Sequence, residues 1–244
     1  MQLSFIQTWR AMRALRRQES GFKHMWQAFT GYPALADGRH DDENWRAHNG
    51  RFAGCLIKIP ASALEPNLEA FRDALRPLDQ ARLHPDHFLH IMIQEIGFVC
   101  RTPAGPDEIS IERFDELGSA LSTALTDMDA FDISIRSVNS FEDAAFLEVH
   151  DGGRCNGLHQ RLREVAAVPM IPRYAFLPHI TVAHYLGGCD SQPMLTALQD
   201  FRETEFGTFH VEEVEIATLR VDIDYPPVLT TRTLNLKPRS QPPR

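Results

Sequence analysis

Two histidines begin two similar segments of the chain, 90–93 (HIMI) and 179–182 (HITV). An imidazole has an ordinary pKa of roughly 6.5, so it can accept or donate a proton near neutral pH. Cleavage of a phosphodiester needs one group that takes a proton from the attacking hydroxyl or water and another that protonates the leaving oxygen. His90 and His179 could fill both roles, and this chemistry does not require a metal.

The pattern around both histidines is that of a strand, in which successive side chains point to opposite faces. The aliphatic residues of each segment would then face the core, while His90 and His179 would line a cleft. Thr181 falls two residues after His179 and therefore shares its face. The Thr181 hydroxyl could donate a hydrogen bond to a phosphate oxygen while the imidazole moves a proton.

Two residues just before the second segment could extend such a site. Arg173 and Tyr174 precede His179 by six and five positions. A cation could hold a phosphate there, and an aromatic ring could stack on a base. The alternative for this pair is an ordinary surface loop.

A run of three histidines raises the question of a metal. His84, His87 and His90 are spaced by three residues, which fits neither a strand nor a helix for converging ligands, and Pro85 would disrupt a helix. His184 lies five positions after His179, on the opposite face of a regular strand, and is read as structural. We therefore expect no metal and no cofactor. The four cysteines form no CxxC pair and are expected to be reduced.

Helices and strands alternate along the chain in a way that predicts an α+β protein. Strand–helix–strand occurs in both halves, which suggests a duplication. The predicted strands are 52–60, 88–99, 131–138, 144–149, 179–186, 209–221 and 228–236, the fourth being the hairpin partner of the third. The predicted helices are 1–18, 63–78, 112–125, 158–168 and 194–201.

The two histidine motifs resemble those of the 2H phosphoesterase superfamily, marked by paired His-x-Thr/Ser-x motifs, and especially its bacterial 2′-5′ RNA ligase and cyclic phosphodiesterase branch. The second motif matches in full and follows Phe-Leu-Pro at 176–178, as is common there. The first departs from the pattern because Met92 stands where Thr or Ser is expected. The resemblance covers about residues 52–237 and leaves residues 1–51 outside.

This resemblance implies a bilobal, duplicated fold with two antiparallel-rich sheets facing a central cleft and helices outside. It implies hydrolysis of 2′,3′-cyclic phosphates of nucleotides or RNA ends, in some members with weak reverse 2′-5′ ligation. His90 and His179 would be the acid–base pair and Thr181 a phosphate donor. A thioether cannot donate, so Met92 would slow turnover, or Gln94 on the same face would supply the donor. Two alternatives are a non-catalytic module that binds a nucleotide or RNA end, and a hydrolase of another small phosphoester.

The net charge of −8 argues against binding along a long nucleic-acid duplex, because a protein that neutralises many phosphates is usually basic. The expected partner is a nucleotide or the phosphate of an RNA 3′-end. No segment is apolar enough to span a bilayer. The cysteines, expected to be reduced, indicate a cytoplasmic protein, and a monomer is the default expectation.

We predict three regions: 1–51, an N-terminal helix and irregular extension; 52–237, the two-lobed domain; and 238–244, a disordered tail. Residues 1–18 combine apolar residues with four arginines and contain no acid. Such a helix could pack on the domain, lie on a membrane surface or serve as a targeting segment.

Overall fold

The computed structural model describes residues 5–38, 45, 47, 48, 50–166 and 176–238. Helices and strands are interspersed along the whole described chain. The helices are α1 (Phe5–Phe29), α2 (Asn67–Leu75), α3 (Ile111–Leu125), α4 (Arg154–Ala166) and α5 (Gln192–Gln199). The strands are β1 (Arg51–Lys58), β2 (Ala81–Leu83), β3 (His90–Cys100), β4 (Glu108–Ser110), β5 (Phe131–Ser140), β6 (Ala144–His150), β7 (His179–Tyr185), β8 (Glu205–Val211), β9 (Glu213–Arg220) and β10 (Leu229–Asn235).

The strands form two five-stranded sheets. The first has the order β10-β9-β1-β3-β4, and the second has the order β2-β7-β6-β5-β8. Every pairing is antiparallel except that of β3 with β4. The predicted hairpin of β5 and β6 is present. The prediction of an α+β fold with two antiparallel-rich sheets is confirmed.

Apolar periodicity explains both the helices and the common core. In α2, Leu68, Phe71 and Leu75 recur at spacings of three and four and are fully buried. Ser110 caps α3 by accepting a hydrogen bond from the Arg113 amide at 3.1 Å. Buried residues of both sheets and of the helices belong to one apolar cluster. The two sheets are therefore held as one body, which fixes the relative position of their strands.

One predicted strand is in fact two. The alternation predicts a single strand over residues 209–221, but the strand pairing changes at Glu212. β8 before it pairs with β5 in the second sheet, and β9 after it pairs with β1 in the first sheet. The apolar alternation shifts phase at Glu212 and Glu213, but a β-bulge within one strand would give the same shift, so only the tertiary pairing reveals the crossover between the sheets.

The N-terminal helix is longer than predicted and packs on the second sheet. The sequence predicts its end at residue 18, but α1 continues to Phe29 because Phe22 and Phe29 extend its buried stripe. Gln18 donates to the Asp151 carboxylate at 3.0 Å, and the Asn139 amide donates to the Phe22 carbonyl at 2.8 Å. These buried contacts attach α1 to β5 and to the end of β6.

Three further expectations concern the C-terminal tail, membrane-spanning helices and the cysteines. Residues 239–244 of the predicted tail lie outside the described residues. No helix in the described part of the chain is both long and apolar enough to cross a membrane. The four cysteines are free thiols, and the burial of Cys55 raises its pKa to about 12.

Candidate active site

His90 and His179 occupy equivalent positions in the two halves. Each is the first residue of its strand, β3 or β7, and each is partly exposed. β3 and β7 pack against each other where the two sheets meet. The aliphatic residues that follow both histidines are buried in the core, as the alternation predicted: Ile91, Ile93, Ile180 and Val182.

Both imidazoles are held by the same backbone contact. His90 Nδ1 lies 2.6 Å from the Phe88 carbonyl oxygen, and His179 Nδ1 lies 2.7 Å from the Leu177 carbonyl oxygen. A carbonyl only accepts, so Nδ1 must carry the proton in each bond. In the neutral ring this leaves Nε2 as the basic nitrogen. In both His90 and His179, the carbonyl two residues earlier therefore selects the tautomer that is protonated at Nδ1.

Two aromatic rings border His179. The Phe141 ring meets it edge-on with centroids 5.0 Å apart, and the Phe146 ring lies at 5.1 Å. Burial lowers the pKa of His179 below its ordinary value, and the bond to the Leu177 carbonyl opposes this shift only in part. The neutral imidazole is thus the favoured form of His179.

The surroundings of His90 are different. The Phe88 ring meets it edge-on with centroids 5.3 Å apart. Met92, two residues further along β3, is partly exposed and lies over Gly54 of β1. A Cβ at position 54 would lie 2.7 Å from the Met92 sulfur, so the glycine provides the space that the thioether occupies. Met92, which departs from the motif, is therefore accommodated by the absence of a side chain at Gly54 on the neighbouring strand β1.

The strand register places two further groups beside the second motif. Thr181 pairs with Phe146, and His179 pairs with Glu148 of β6. Paired residues of antiparallel strands share a face of the sheet, so Phe146 and Glu148 lie on the face of His179 and Thr181. Thr181 is partly exposed, whereas Glu148 is buried.

Glu148 is the centre of a buried polar network. Its carboxylate accepts from Asn139 Nδ2 at 2.7 Å, from Arg202 Nη1 at 2.8 Å and from His150 Nε2 at 3.2 Å. Burial alone would raise the pKa of Glu148, but the bonds from His150, Arg202 and Asn139 outweigh it and hold that pKa below its usual value. The ionised Glu148 carboxylate therefore holds these three side chains in place beside His179.

Gln94 does not lie in a regularly alternating strand. The register of β3 with β1 shifts between Met92 and Gln94, which indicates a β-bulge at Ile93. Gln94 is buried, and its amide nitrogen donates to the Glu95 carbonyl at 2.7 Å. Its role as a replacement phosphate donor remains a prediction. Arg173 and Tyr174 lie outside the described residues.

The other histidines have separate partners. His84 Nε2 lies 3.3 Å from His184 Nδ1, and both rings are buried under Tyr225. His87 Nε2 donates to the Tyr225 carbonyl at 2.9 Å. Within the described residues, no group of three or more His, Cys, Asp or Glu side chains could hold a metal ion.

The sequence reasoning missed the aromatic and acidic neighbours of His179. Phe146 and Glu148 alternate along β6, and this spacing does place them on one face. What could not be predicted was that β6 pairs with β7 in the register that sets Glu148 opposite His179. The contact of the Phe22 ring with the Phe146 ring, at 6.4 Å, likewise depends on where α1 docks.

The sequence and the fold both have relatives. The family model described as "2′-5′ RNA ligase superfamily" matches residues 60–222, which is more than half of the chain. TT0787 of Thermus thermophilus has a similar structure, with 16% identity and a TM-score of 0.53, over 77% of this chain and 99% of that one. No curated protein sequence shows a significant match.

Two structures of E. coli LigT are similar as well. The complex with ATP has 17% identity and a TM-score of 0.55, and the complex with 3′-AMP has 18% identity and a TM-score of 0.54. Each covers 77% of this chain and 98% of its own. Because the relatives are matched almost whole, part of the present chain has no counterpart in them, and α1 precedes the family match. The two histidine motifs, the paired sheets and the family match agree, and the chain belongs to the 2′-5′ RNA ligase superfamily.

Proposed function

We propose that this protein is a metal-independent phosphodiesterase that hydrolyses the 2′,3′-cyclic phosphates of nucleotides or RNA ends. His90 and His179 act as its acid–base pair. The observation that carries the proposal is the repeated contact of each Nδ1 with the carbonyl two residues earlier. It makes Nε2 the reactive nitrogen of both imidazoles, on the two strands that meet between the sheets.

The reaction balances with these two groups alone. A neutral imidazole accepts a proton from water as the water oxygen forms its bond to phosphorus. A protonated imidazole gives its proton to the ribose oxygen as the bond from that oxygen to phosphorus breaks. The cyclic phosphate becomes a phosphomonoester. The same ring opening with a ribose 5′-hydroxyl in place of water, and with the 3′ oxygen as the leaving group, would give a 2′-5′ phosphodiester.

The two histidines are suited to different parts of this reaction. The lowered pKa of His179 favours its neutral form, which a general base requires. We therefore assign water activation to His179 and protonation of the leaving oxygen to His90. Thr181, on the face of His179, donates its hydroxyl proton in a hydrogen bond to a non-bridging phosphate oxygen.

We propose a nucleotide as the ligand of this site. The E. coli LigT structures hold ATP and 3′-AMP. Of the rings beside the imidazoles, Phe141 is partly exposed whereas Phe88 and Phe146 are buried, so we assign stacking on a base to Phe141.

The test is hydrolysis of 2′,3′-cyclic nucleotides, and of a short RNA ending in a cyclic phosphate, in the presence of EDTA. A 3′,5′-cyclic nucleotide serves as the matched control. We expect turnover of the 2′,3′-cyclic substrates without metal and little turnover of the control. A strict requirement for added metal would contradict the proposal.

Met92 supports a second candidate, a module that binds a nucleotide or RNA end without turnover. The thioether cannot donate to a phosphate, so one expected donor is absent from the first motif. Binding of a 2′-phosphorylated product with no hydrolysis of any cyclic substrate would favour this candidate. Hydrolysis of a different small cyclic phosphoester alone would instead identify a third, a related hydrolase with another substrate.

A further inference from the structure

The register of the first sheet places Lys58 beside His90. Lys58 is the last residue of β1, and it pairs with His90 at the start of β3. Paired residues of antiparallel strands share a face of the sheet, and their Cβ atoms lie about 5 Å apart. The Lys58 side chain therefore belongs to the same face as His90, on which the candidate active site lies.

The strands around His90 place no second cation on this face. The structure describes β1, β3 and β9 in full, and their other cations are Arg51 and Arg220, which pair with each other. Arg51 precedes Lys58 by seven positions on β1, an odd number, so both arginines lie on the opposite face. Lys58 is thus the positive charge that these strands present beside His90.

The ammonium group of Lys58 is anchored on one side and exposed on the other. It lies 2.8 Å from the Glu215 carboxylate and donates to Thr230 Oγ1 at 2.6 Å. The Glu215 side chain is 13% exposed, whereas that of Lys58 is 37% exposed. An ammonium carries three protons, so these two contacts leave one proton for a ligand on the exposed side.

The first motif needs a donor on this face. Met92 offers only a thioether, which cannot donate to a phosphate. Gln94 pairs with Cys55, which precedes Lys58 by three positions, so Gln94 lies on the opposite face of the sheet. Lys58 is on the required face and carries both a donor and a positive charge.

The two halves also differ in the charge that is paired with each histidine. Glu148 pairs with His179, but it is buried and its carboxylate accepts from three donors. Lys58, which pairs with His90, is instead a partly exposed cation. A phosphate between the two histidines would meet the Thr181 hydroxyl from the second half and the Lys58 ammonium from the first.

We propose that Lys58 donates to a non-bridging oxygen of the phosphate and takes the place of the hydroxyl that the first motif lacks. This inference rests on the proposed function and adds a catalytic residue to it. A positioned cation stabilises the charge that develops on a phosphoryl group in the transition state. Met92 is then compatible with turnover, because the first half still contributes a group that binds the phosphate.

The experiment measures kcat/KM for cytidine 2′,3′-cyclic phosphate with wild type, Lys58→Gln and Lys58→Arg. Arg51→Gln is the matched control, because it removes the same charge from the other end and the other face of β1. We expect Lys58→Gln to lower kcat/KM about ten- to hundredfold and Lys58→Arg, which keeps the cation, to lower it less. Arg51→Gln should change it by less than about twofold.

Glu215→Gln distinguishes phosphate binding from support of the strands. Both Lys58→Gln and Glu215→Gln break the ion pair, but the second leaves the ammonium in place and removes the charge that competes with the phosphate. We expect Glu215→Gln to lower KM by up to about fivefold. Equal losses of kcat/KM in these two variants, or a loss in Lys58→Gln no larger than that in Arg51→Gln, would overturn the inference.

Binding of the product separates this inference from the proposed function. If wild type hydrolyses no cyclic phosphate, the proposed function fails, and calorimetry with cytidine 2′-phosphate then tests Lys58 in the same variants. We expect Lys58→Gln to weaken that binding about tenfold or more and Arg51→Gln to leave it within about twofold. Equal affinity of wild type and Lys58→Gln, or no binding by wild type, would overturn the inference.

Discussion

The two halves of the molecule hold their histidines in the same way but surround them differently. Each imidazole receives the same backbone carbonyl contact, within 0.1 Å of the same length (2.6 and 2.7 Å). His179 then lies against the rings of Phe141 and Phe146 and shares its face with Thr181, whereas Met92 follows His90 above a glycine. The shared contact fixes the tautomer, and the different neighbours are the basis of the separate roles that we propose for the two histidines.

The largest expected effect tests what the halves share. His90→Gln and His179→Gln should each lower kcat/KM for a 2′,3′-cyclic nucleotide by about 10²- to 10⁴-fold, because each removes one proton-transfer group. Circular dichroism and thermal unfolding would verify that both variants fold. A variant that retained most of its activity would show that only one half carries the chemistry.

The next effect tests the hydroxyl that only the second half has. Thr181→Val removes a hydrogen bond to an anionic oxygen worth about 1.5–3 kcal/mol, so kcat/KM should fall about ten- to hundredfold. Thr181→Ser keeps the hydroxyl and serves as the matched control. Equal activity of the valine and serine variants would mean that Thr181 does not contact the phosphate.

The converse change should make the halves more alike. Met92→Thr introduces a hydroxyl at the position equivalent to Thr181, and we expect kcat/KM to rise by up to about tenfold. Met92→Leu is the control, because it fills the space above Gly54 without a donor. An increase with the leucine variant as well would point to packing rather than hydrogen bonding.

The smallest effect concerns the burial of His179. Phe141→Leu should admit water beside the ring and raise the pKa of His179 toward its ordinary value. A base works in its neutral form, so the acidic limb of the pH–rate profile should move to higher pH. Phe88→Leu, beside His90, is the control and should leave that limb in place. A limb that stays fixed in both variants would argue against His179 as the base.

Much of this comparison could be predicted from the sequence. The aliphatic residues after each histidine identified both strands, and the order of helices and strands identified the fold class. These features depend on local periodicity, which a single sequence displays directly. The pairing of residues 209–221 with two different sheets depends on distant partners, so the crossover at Glu212 was missed.

The site was predictable to a smaller extent. The motif residues lie at the strand positions expected of them, but regular alternation could not foresee the bulge that places Gln94 in a buried position. Nor could an amphipathic stripe tell where α1 docks. The contact of Phe22 with Phe146 depends on the shape of the assembled sheet, and so does the pairing of Glu148 with His179.

The most direct measurement is kcat/KM of the double variant His90→Ala/His179→Ala beside the two single variants, on a 2′,3′-cyclic nucleotide in EDTA. Residues that act as one unit show non-additive losses, because removing either already abolishes the coupled proton transfers. We predict that kcat/KM of the double variant is no more than about threefold below that of the less active single variant. A double variant whose loss equals the product of the two single losses would contradict a joint action on one phosphate.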